Sequence, residues 1–219
     1  MQSSAVIFDL DGTIHDRAQG LRAFASNQFN RLGTNPSLAS KYTQRFVELD
    51  ANGMVWKDKV YEVLSKEFAL VDNPSIESLV NEYIEMYPNF SVEIEGSTRT
   101  IQGLRNSGIK VGILTNGTST LQRSVISSLG FEDIVDAVVI SEEAGLRKPQ
   151  NEIYSLILSK LGVAANHSVM VGDSLEADIE GALAAGVHPI AFKLASAPIG
   201  VPSCSSMQEV MNVAQSILK

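Results

Sequence analysis

The chain has 219 residues, 44% of them hydrophobic and 19% charged, which is typical of a globular protein with a substantial buried core. Its formal net charge of −8 argues against binding of nucleic acid polymers, because such binding depends on Lys and Arg side chains that neutralise phosphates. We expect a cytoplasmic protein without a membrane span, since no apolar run approaches the roughly 18 residues of a membrane helix, no secretory signal is visible, and Cys204 is a lone cysteine.

The first predicted element is a buried strand, residues 5–9, within the stretch AVIFDLDGT. Four apolar residues lead directly into two carboxylates, Asp9 and Asp11. A buried strand gains nothing from this ending, because like charges at short range repel each other and both lose hydration. We therefore expect that this strand end serves a cation or a ligand.

The next segment, from Arg17 to Phe90, contains helical patterns and no convincing strand. Apolar residues with helical spacing include Val60, Val63, Leu64, Phe68, Ile76, Leu79, Val80 and Tyr83. The segment is too long for an ordinary connection between strands. We predict a helical-bundle domain, residues 16–91, inserted into an α/β core of residues 1–15 and 92–219, and we expect Trp56 and most tyrosines to pack inside the bundle.

The rest of the chain alternates strands with helices. The predicted strands are residues 109–115, 137–140, 168–172 and 188–192, and most read as continuous apolar runs. One of the helical stripes between and after them comprises Leu175, Ile179, Ala182 and Leu183. This alternation predicts a parallel sheet covered by helices on both faces, a three-layer Rossmann-like α/β core.

Polar residues follow the ends of these strands, where ligands bind in open α/β sheets. The second strand ends in Thr115-Asn116-Gly117, and the fourth is followed by Asp173, with Asp178 nearby. Lys148 precedes Pro149 at the entrance of a predicted helix. We expect these side chains to lie at one edge of the sheet.

The charges at this edge predict the chemistry. At an effective dielectric constant of 20, each pair of like charges 4 Å apart costs about 4 kcal/mol. A Mg²⁺ ion removes most of that repulsion and attracts phosphate oxygens. Lys148 adds a positive charge, and Thr115 with the Asn116 backbone N–H can donate to a phosphoryl oxygen. These features favour phosphoryl transfer on a small phosphorylated substrate.

The motifs DLDGT, TNG, RKP and GDSLEAD, in this order, resemble the four motifs of the haloacid dehalogenase (HAD) superfamily. The inserted bundle is similar to the helical C1 cap of that superfamily, and the surroundings of the motifs resemble its phosphatase branch, which includes phosphoglycolate phosphatases and nucleotidases. The resemblance implies a Mg²⁺-dependent phosphatase that acts through an aspartyl-phosphate on a small metabolite such as a sugar phosphate, phosphoglycolate or a nucleotide.

The resemblance also implies roles for individual residues. Asp9 would be the nucleophile, and Asp11 would be the general acid and then the base that activates water. Thr115 and Lys148 would hold the phosphoryl group. The implied Mg²⁺ ligands are Asp9, the Asp11 backbone carbonyl and Asp173, and Asp178 would support them directly or through water.

Three classes of function remain open at this stage. Haloacid dehalogenases and phosphonoacetaldehyde hydrolases of the superfamily lack an aspartate at the position of Asp11, so the resemblance favours a phosphate ester over a carbon–halogen or carbon–phosphorus bond. Phosphomutases of the β-phosphoglucomutase type keep both aspartates, so they are the main alternative to a phosphatase, followed by a non-catalytic Mg²⁺- and phosphate-binding module. Since Asp11 already provides the acid and base, we expect His15 to contact substrate or pack at a hinge. The sequence leaves the oligomeric state open.

Overall fold

The structure, a computed structural model, describes residues 3–219, which form two compact units. The first unit contains the chain up to His15 together with Glu93–Lys219, and the second contains Asp16–Val92. In chain order the second unit is therefore an insertion within the first. That this second unit acts as a cap stays a prediction.

The first unit is built on a parallel six-stranded sheet, which confirms the predicted α/β class. The strands are β1 (Ala5–Phe8), β2 (Lys110–Thr115), β3 (Ala137–Ile140), β4 (Ser168–Gly172), β5 (His188–Phe192) and β6 (Ser203–Cys204). Their order is β3-β2-β1-β4-β5-β6. Strand β1 therefore lies between β2 and β4.

Besides short 3₁₀-helices and one π-helix, the described residues also contain ten α-helices. They are α1 (Arg17–Leu32), α2 (Ala39–Asp50), α3 (Lys57–Glu67), α4 (Ile76–Met86), α5 (Ser97–Asn106), α6 (Ser119–Ser128), α7 (Ser141–Ala144), α8 (Asn151–Leu161), α9 (Gly181–Ala184) and α10 (Met207–Ile217). In the first unit Ile7, Leu114 and Met170 extend from neighbouring strands into a core that includes Ile157 of α8. The continuous apolar strands are thus covered by helices.

Two details of this unit differ from the sequence expectations. Strand β6 was not predicted, because two residues are too short to show a period. The stripe through Leu175 is only half buried: Ile179 and Ala182 are inaccessible, whereas Leu175 and Leu183 are 41% and 52% exposed. Residues Leu175–Glu180 form a π-helix, whose wider turn changes which side chains share a face.

The second unit has an aromatic core formed by α1–α4. The Phe24 ring packs edge-on against Tyr83, with 5.4 Å between ring centroids, and against Phe46 at 6.1 Å. Tyr42 and Tyr61 are also fully buried, as predicted. The prediction is wrong for Trp56, which is 41% exposed. Trp56 directly precedes α3, where it is not held on the inward face of a helix.

A buried ion cluster stabilises the second unit. The Asp50 carboxylate accepts hydrogen bonds from Arg17 at 2.8 and 2.9 Å and from the Gly53 backbone N–H at 2.8 Å. Lys57 donates to the same carboxylate, and all three charged side chains are nearly inaccessible. Because this carboxylate binds two buried cations, its loss is expected to lower stability more than the loss of a surface carboxylate.

We therefore expect Asp50→Asn to lower the free energy of unfolding by about 3–5 kcal/mol, the usual cost of breaking a buried ion pair from one side. Urea denaturation of the full chain measures the change. Glu67→Gln is the matched control in the same unit, because its partner Arg45 and Glu67 itself lie at the surface, and we expect little change there. Equal destabilisation by both variants would contradict a stabilising role for the cluster.

None of the helices in residues 3–219 is both long and apolar enough to span a bilayer.

Candidate active site

Three neighbouring strands bring the predicted site residues to one edge of the sheet. Asp9 follows β1, Thr115 ends β2 and Asp173 follows β4. The Asp9 backbone N–H donates to the Val171 carbonyl at 2.9 Å, which extends the pairing of β1 with β4 up to the site. Because parallel strands end at the same edge, residues far apart in the chain become neighbours here.

Lys148 lies at the centre of this edge. Its ammonium nitrogen is 2.6 Å from Asp9 Oδ1 and 2.6 Å from Asp178 Oδ1, and the residue is 3% exposed. The ion pairs therefore connect β1, the loop before α8 and the π-helix after β4. The sequence predicted that Lys148 faces acidic groups, and the structure places it between two of them.

Asn116 holds the backbone of Lys148. Its side-chain Oδ1 accepts from the Lys148 N–H at 2.9 Å, and its Nδ2 donates to the Lys148 carbonyl at 3.1 Å. The sequence assigned the Asn116 backbone N–H to a phosphoryl oxygen, and that assignment stays a prediction. The amide side chain has a separate role, because it fixes the loop that carries Lys148.

The carboxylates of Asp9, Asp173 and Asp178 form a cluster in which one oxygen of each lies within 4.8 Å of the others. Asp178 is tied to the protein through both oxygens, since its Oδ2 also accepts from the Ser174 N–H at 3.0 Å. Carboxylate oxygens are the ligands that Mg²⁺ prefers. The donor set therefore fits a hard divalent cation, and the supporting role of Asp178 stays a prediction.

Burial and mutual repulsion disfavour the ionised forms of Asp9 and Asp173. Burial raises the pKa of Asp9 well above its usual value, and Asp178 and Asp173 add to the rise against the attraction of Lys148. Burial, followed by the charge of Asp178, raises the pKa of Asp173 to about 6. For Lys148, burial lowers the pKa, but the charges of Asp178 and Asp9 outweigh it and raise the pKa overall. A bound cation would favour ionisation of the carboxyls.

Asp11 is held by two side chains that the sequence analysis did not connect with it. Its Oδ1 is 2.7 Å from Nδ1 of the buried His15, and its Oδ2 is 3.3 Å from Nε2 of Gln122. His15 contacts the predicted general acid, and the expectation that it contacts substrate or packs at a hinge stays a prediction. The Asp11 carboxylate itself is 27% exposed.

Gln122 was missed by the sequence analysis. It lies on α6, is 3% exposed, and also donates from Nε2 to Thr115 Oγ1 at 2.7 Å. The only signal available was a glutamine next to Leu121, among the apolar residues between the second and third predicted strands. A glutamine at such a position indicates an inward-facing polar group, but it does not show which residue that group contacts.

Gly12 gives the first motif its shape. Its φ of +86° is a conformation that favours glycine. A Cβ at Gly12 would also lie 2.2 Å from Asp173 Oδ2, so the turn after β1 packs directly against the carboxylate that follows β4. A side chain at this position would have to displace Asp173.

Known proteins resemble this chain over most of its length. The profile of the haloacid dehalogenase-like hydrolases matches residues 6–192. The ribulose-1,5-bisphosphate 5-phosphatase of Halopiger xanaduensis is 32% identical over 202 residues, which cover 87% of this chain and 84% of that relative. The glyceraldehyde 3-phosphate phosphatase of Pyrococcus abyssi is 28% identical, with 86% of this chain and 80% of the relative covered.

Solved structures share the fold. A Thermotoga maritima chain assigned as a β-phosphoglucomutase matches with a TM-score of 0.73 at 20% identity, and 100% of each chain is covered. At this identity the similarity concerns the fold alone.

Proposed function

This chain belongs to the haloacid dehalogenase-like hydrolases and is a phosphatase, and we propose that it hydrolyses a small phosphomonoester through an aspartyl-phosphate with the help of Mg²⁺. The observation that supports this most is the position of the Lys148 ammonium, 2.6 Å from the carboxylates of both Asp9 and Asp178. A buried cation beside a cluster of carboxylates can hold a phosphoryl group next to a nucleophile.

In the first step, a carboxylate oxygen of Asp9 attacks phosphorus and forms an acyl phosphate, while the bond from phosphorus to the ester oxygen breaks. Asp11 donates its proton to that oxygen, so the alcohol leaves neutral. Lys148 and Thr115 bind the phosphoryl oxygens throughout. The buried position of Lys148 strengthens its attraction to them, because little water screens the charge.

In the second step, Asp11 accepts a proton from a water molecule as that water attacks phosphorus. The bond from phosphorus to Asp9 breaks, inorganic phosphate is released, and the Asp9 carboxylate is restored. The proton that Asp11 lost in the first step is thereby returned, so the enzyme ends in its initial state.

Asp9, Asp173 and the Asp11 carbonyl would hold Mg²⁺, with Asp178 in support. When bound, the ion supplies positive charge that offsets the carboxylates and attracts a phosphate oxygen. The cluster of Asp9, Asp173 and Asp178 supports this assignment through its donor chemistry and its spacing.

We propose a primary phosphate ester on a short hydroxylated carbon chain as the substrate class. The two relatives named above are phosphatases of ribulose 1,5-bisphosphate and glyceraldehyde 3-phosphate. In the ester that each name specifies, phosphate is attached to a terminal CH₂ carbon beside a carbon that carries a hydroxyl group. Phosphoglycolate and nucleoside monophosphates also present phosphate on a primary carbon.

Release of inorganic phosphate from a panel of such esters tests the proposal. With Mg²⁺ we expect turnover of at least one of glyceraldehyde 3-phosphate, ribulose 1,5-bisphosphate, phosphoglycolate and a pyrimidine nucleotide, and loss of turnover after chelation with EDTA. Conversion of a sugar phosphate into its isomer, dependent on a bisphosphate and without net phosphate release, would instead identify a mutase. Binding of phosphate with neither reaction would identify a non-catalytic module.

Gly12→Ala is expected to lower phosphatase activity about 100-fold, because it displaces Asp173 and small misplacements of site groups have effects of that size. Gly108→Ala is the matched control, since Gly108 has a similar φ of +79° but no atom within 4 Å of an added Cβ. The two variants share the backbone strain and differ only in the clash. Similar kcat/KM values for both would contradict the importance of this contact.

A further inference from the structure

One buried amide connects two groups with different roles in the proposed reaction. Nε2 of Gln122 is 2.7 Å from Thr115 Oγ1 and 3.3 Å from Asp11 Oδ2. A side-chain amide nitrogen carries two hydrogens, so it can donate to both acceptors at once. Gln122 thus joins the group that binds the phosphoryl oxygens to the group that exchanges the proton.

The chain makes room for this amide. A Cβ at Gly117 would lie 2.7 Å from Cγ of Gln122, so the glycine of the TNG motif leaves space for the glutamine side chain. The Gly117 N–H donates to Ser141 Oγ at 3.0 Å, which anchors the loop on the far side. Leu121 and Val125 of α6 are buried and fix the helix that carries the amide.

For Thr115, the bond sets which way the hydroxyl donates. Because Oγ1 accepts from Gln122, its own hydrogen points elsewhere. Among residues 3–219, the acceptor in range is the Asn116 carbonyl at 3.5 Å, which is too long for a strong hydrogen bond. The hydroxyl is therefore ready to donate to a phosphoryl oxygen.

For Asp11, the bond fixes the plane of the carboxylate. His15 holds Oδ1 at 2.7 Å and Gln122 holds Oδ2 at 3.3 Å, so both oxygens have a partner. The longer bond is the weaker one, and it can yield when this oxygen exchanges a proton with the leaving group.

We propose that Gln122 is a positioning residue, which orients the Thr115 hydroxyl and the Asp11 carboxylate together for phosphoryl transfer. This inference rests on the proposed phosphatase function. It assigns Gln122 no contact with the reacting atoms, since it acts through the two groups that it holds.

Gln122→Met tests the inference, because methionine has a similar length and volume but donates no hydrogen bond. Turnover is compared for the best alkyl phosphate of the panel and for p-nitrophenyl phosphate, whose leaving group needs little protonation. We expect kcat/KM to fall about 10- to 100-fold for the alkyl phosphate, the effect of a lost hydrogen bond in a buried site. For p-nitrophenyl phosphate the loss of kcat/KM should be several-fold smaller, because its leaving group needs little protonation. Gln208→Met makes the same replacement on the exposed surface of α10 and should change neither rate.

Coupling gives a second readout. In an Asp11→Asn background, Gln122→Met should reduce turnover of the alkyl phosphate by a smaller factor than in the wild type, because one of the groups it orients is already disabled. If Gln122→Met does not fold, Gln122→Asn replaces it, since the shorter amide cannot reach both acceptors. Urea denaturation establishes that each variant is folded.

The outcomes separate the two proposals. Suppose that the wild type releases phosphate but Gln122→Met changes kcat/KM for neither substrate. The inference is then wrong and the proposed function stands. The same holds if Gln122→Met lowers turnover of the alkyl phosphate by one factor in the wild type and in the Asp11→Asn background alike. If the wild type releases phosphate from no substrate, both are wrong. A leaving-group-dependent loss that shrinks in the Asp11→Asn background supports the inference.

Discussion

Asp9→Asn is expected to reduce phosphate release by at least about 10⁴-fold, because a carboxamide cannot form the acyl phosphate that the proposed reaction requires. The variant should fold normally. Burial and the neighbouring carboxylates raise the pKa of Asp9, so this position already disfavours a negative charge and accommodates a neutral amide. Lys148 also keeps its ion pair with Asp178. The measurements are steady-state phosphate release and acid-quenched detection of the phosphorylated chain.

Asp133→Asn is the matched control, because it makes the same replacement at an exposed position of the first unit. We expect wild-type turnover from this control and phosphorylated protein only where Asp9 is retained. If Asp9→Asn, with its mass verified against deamidation, kept a tenth of the wild-type rate, Asp9 would not be the nucleophile.

The strand ends could be predicted from the sequence because a strand that is buried on both faces consists almost entirely of apolar residues. AVIF and VMV are continuous apolar runs, and each leads into a polar turn that begins with Asp9 or with Gly172-Asp173. Parallel pairing then brings the ends together whatever the details of packing. These runs do not say which strands become neighbours; the placement of β1 between β2 and β4 is implied by the resemblance to the HAD superfamily alone.

The contacts around Asp11 could not be predicted in the same way. Gln122 reaches it only because α6 packs at a particular distance and Gly117 leaves space for the side chain. His15 reaches it through the tight turn that begins at Leu10, whose carbonyl accepts from the His15 N–H at 2.9 Å. Tertiary contacts of this kind produce no periodic pattern in the sequence, so they could not be predicted from it.

The π-helix after β4 is a further case. The apolar spacing of Leu175 and Ile179 suggested an ordinary amphipathic helix, and the sequence contains no mark of a wider turn. In the structure this turn carries Asp178, which binds both Lys148 and the Ser174 N–H. The buried bonds of Asp178 therefore coincide with the departure from regular helix, as is frequent at functional sites.

Asp11→Asn is expected to lower steady-state turnover of an alkyl phosphate by about 10²–10⁴-fold, the usual contribution of a general acid and base. With p-nitrophenyl phosphate the two steps respond differently. The first needs no proton for its good leaving group, whereas the second still needs Asp11 to activate water. The variant should therefore release a burst of p-nitrophenol equal to the enzyme concentration and then turn over slowly, since the phosphorylated enzyme accumulates. Stopped-flow absorbance measures the burst, and a slow release without one would show that the first step limits the variant, which contradicts the prediction.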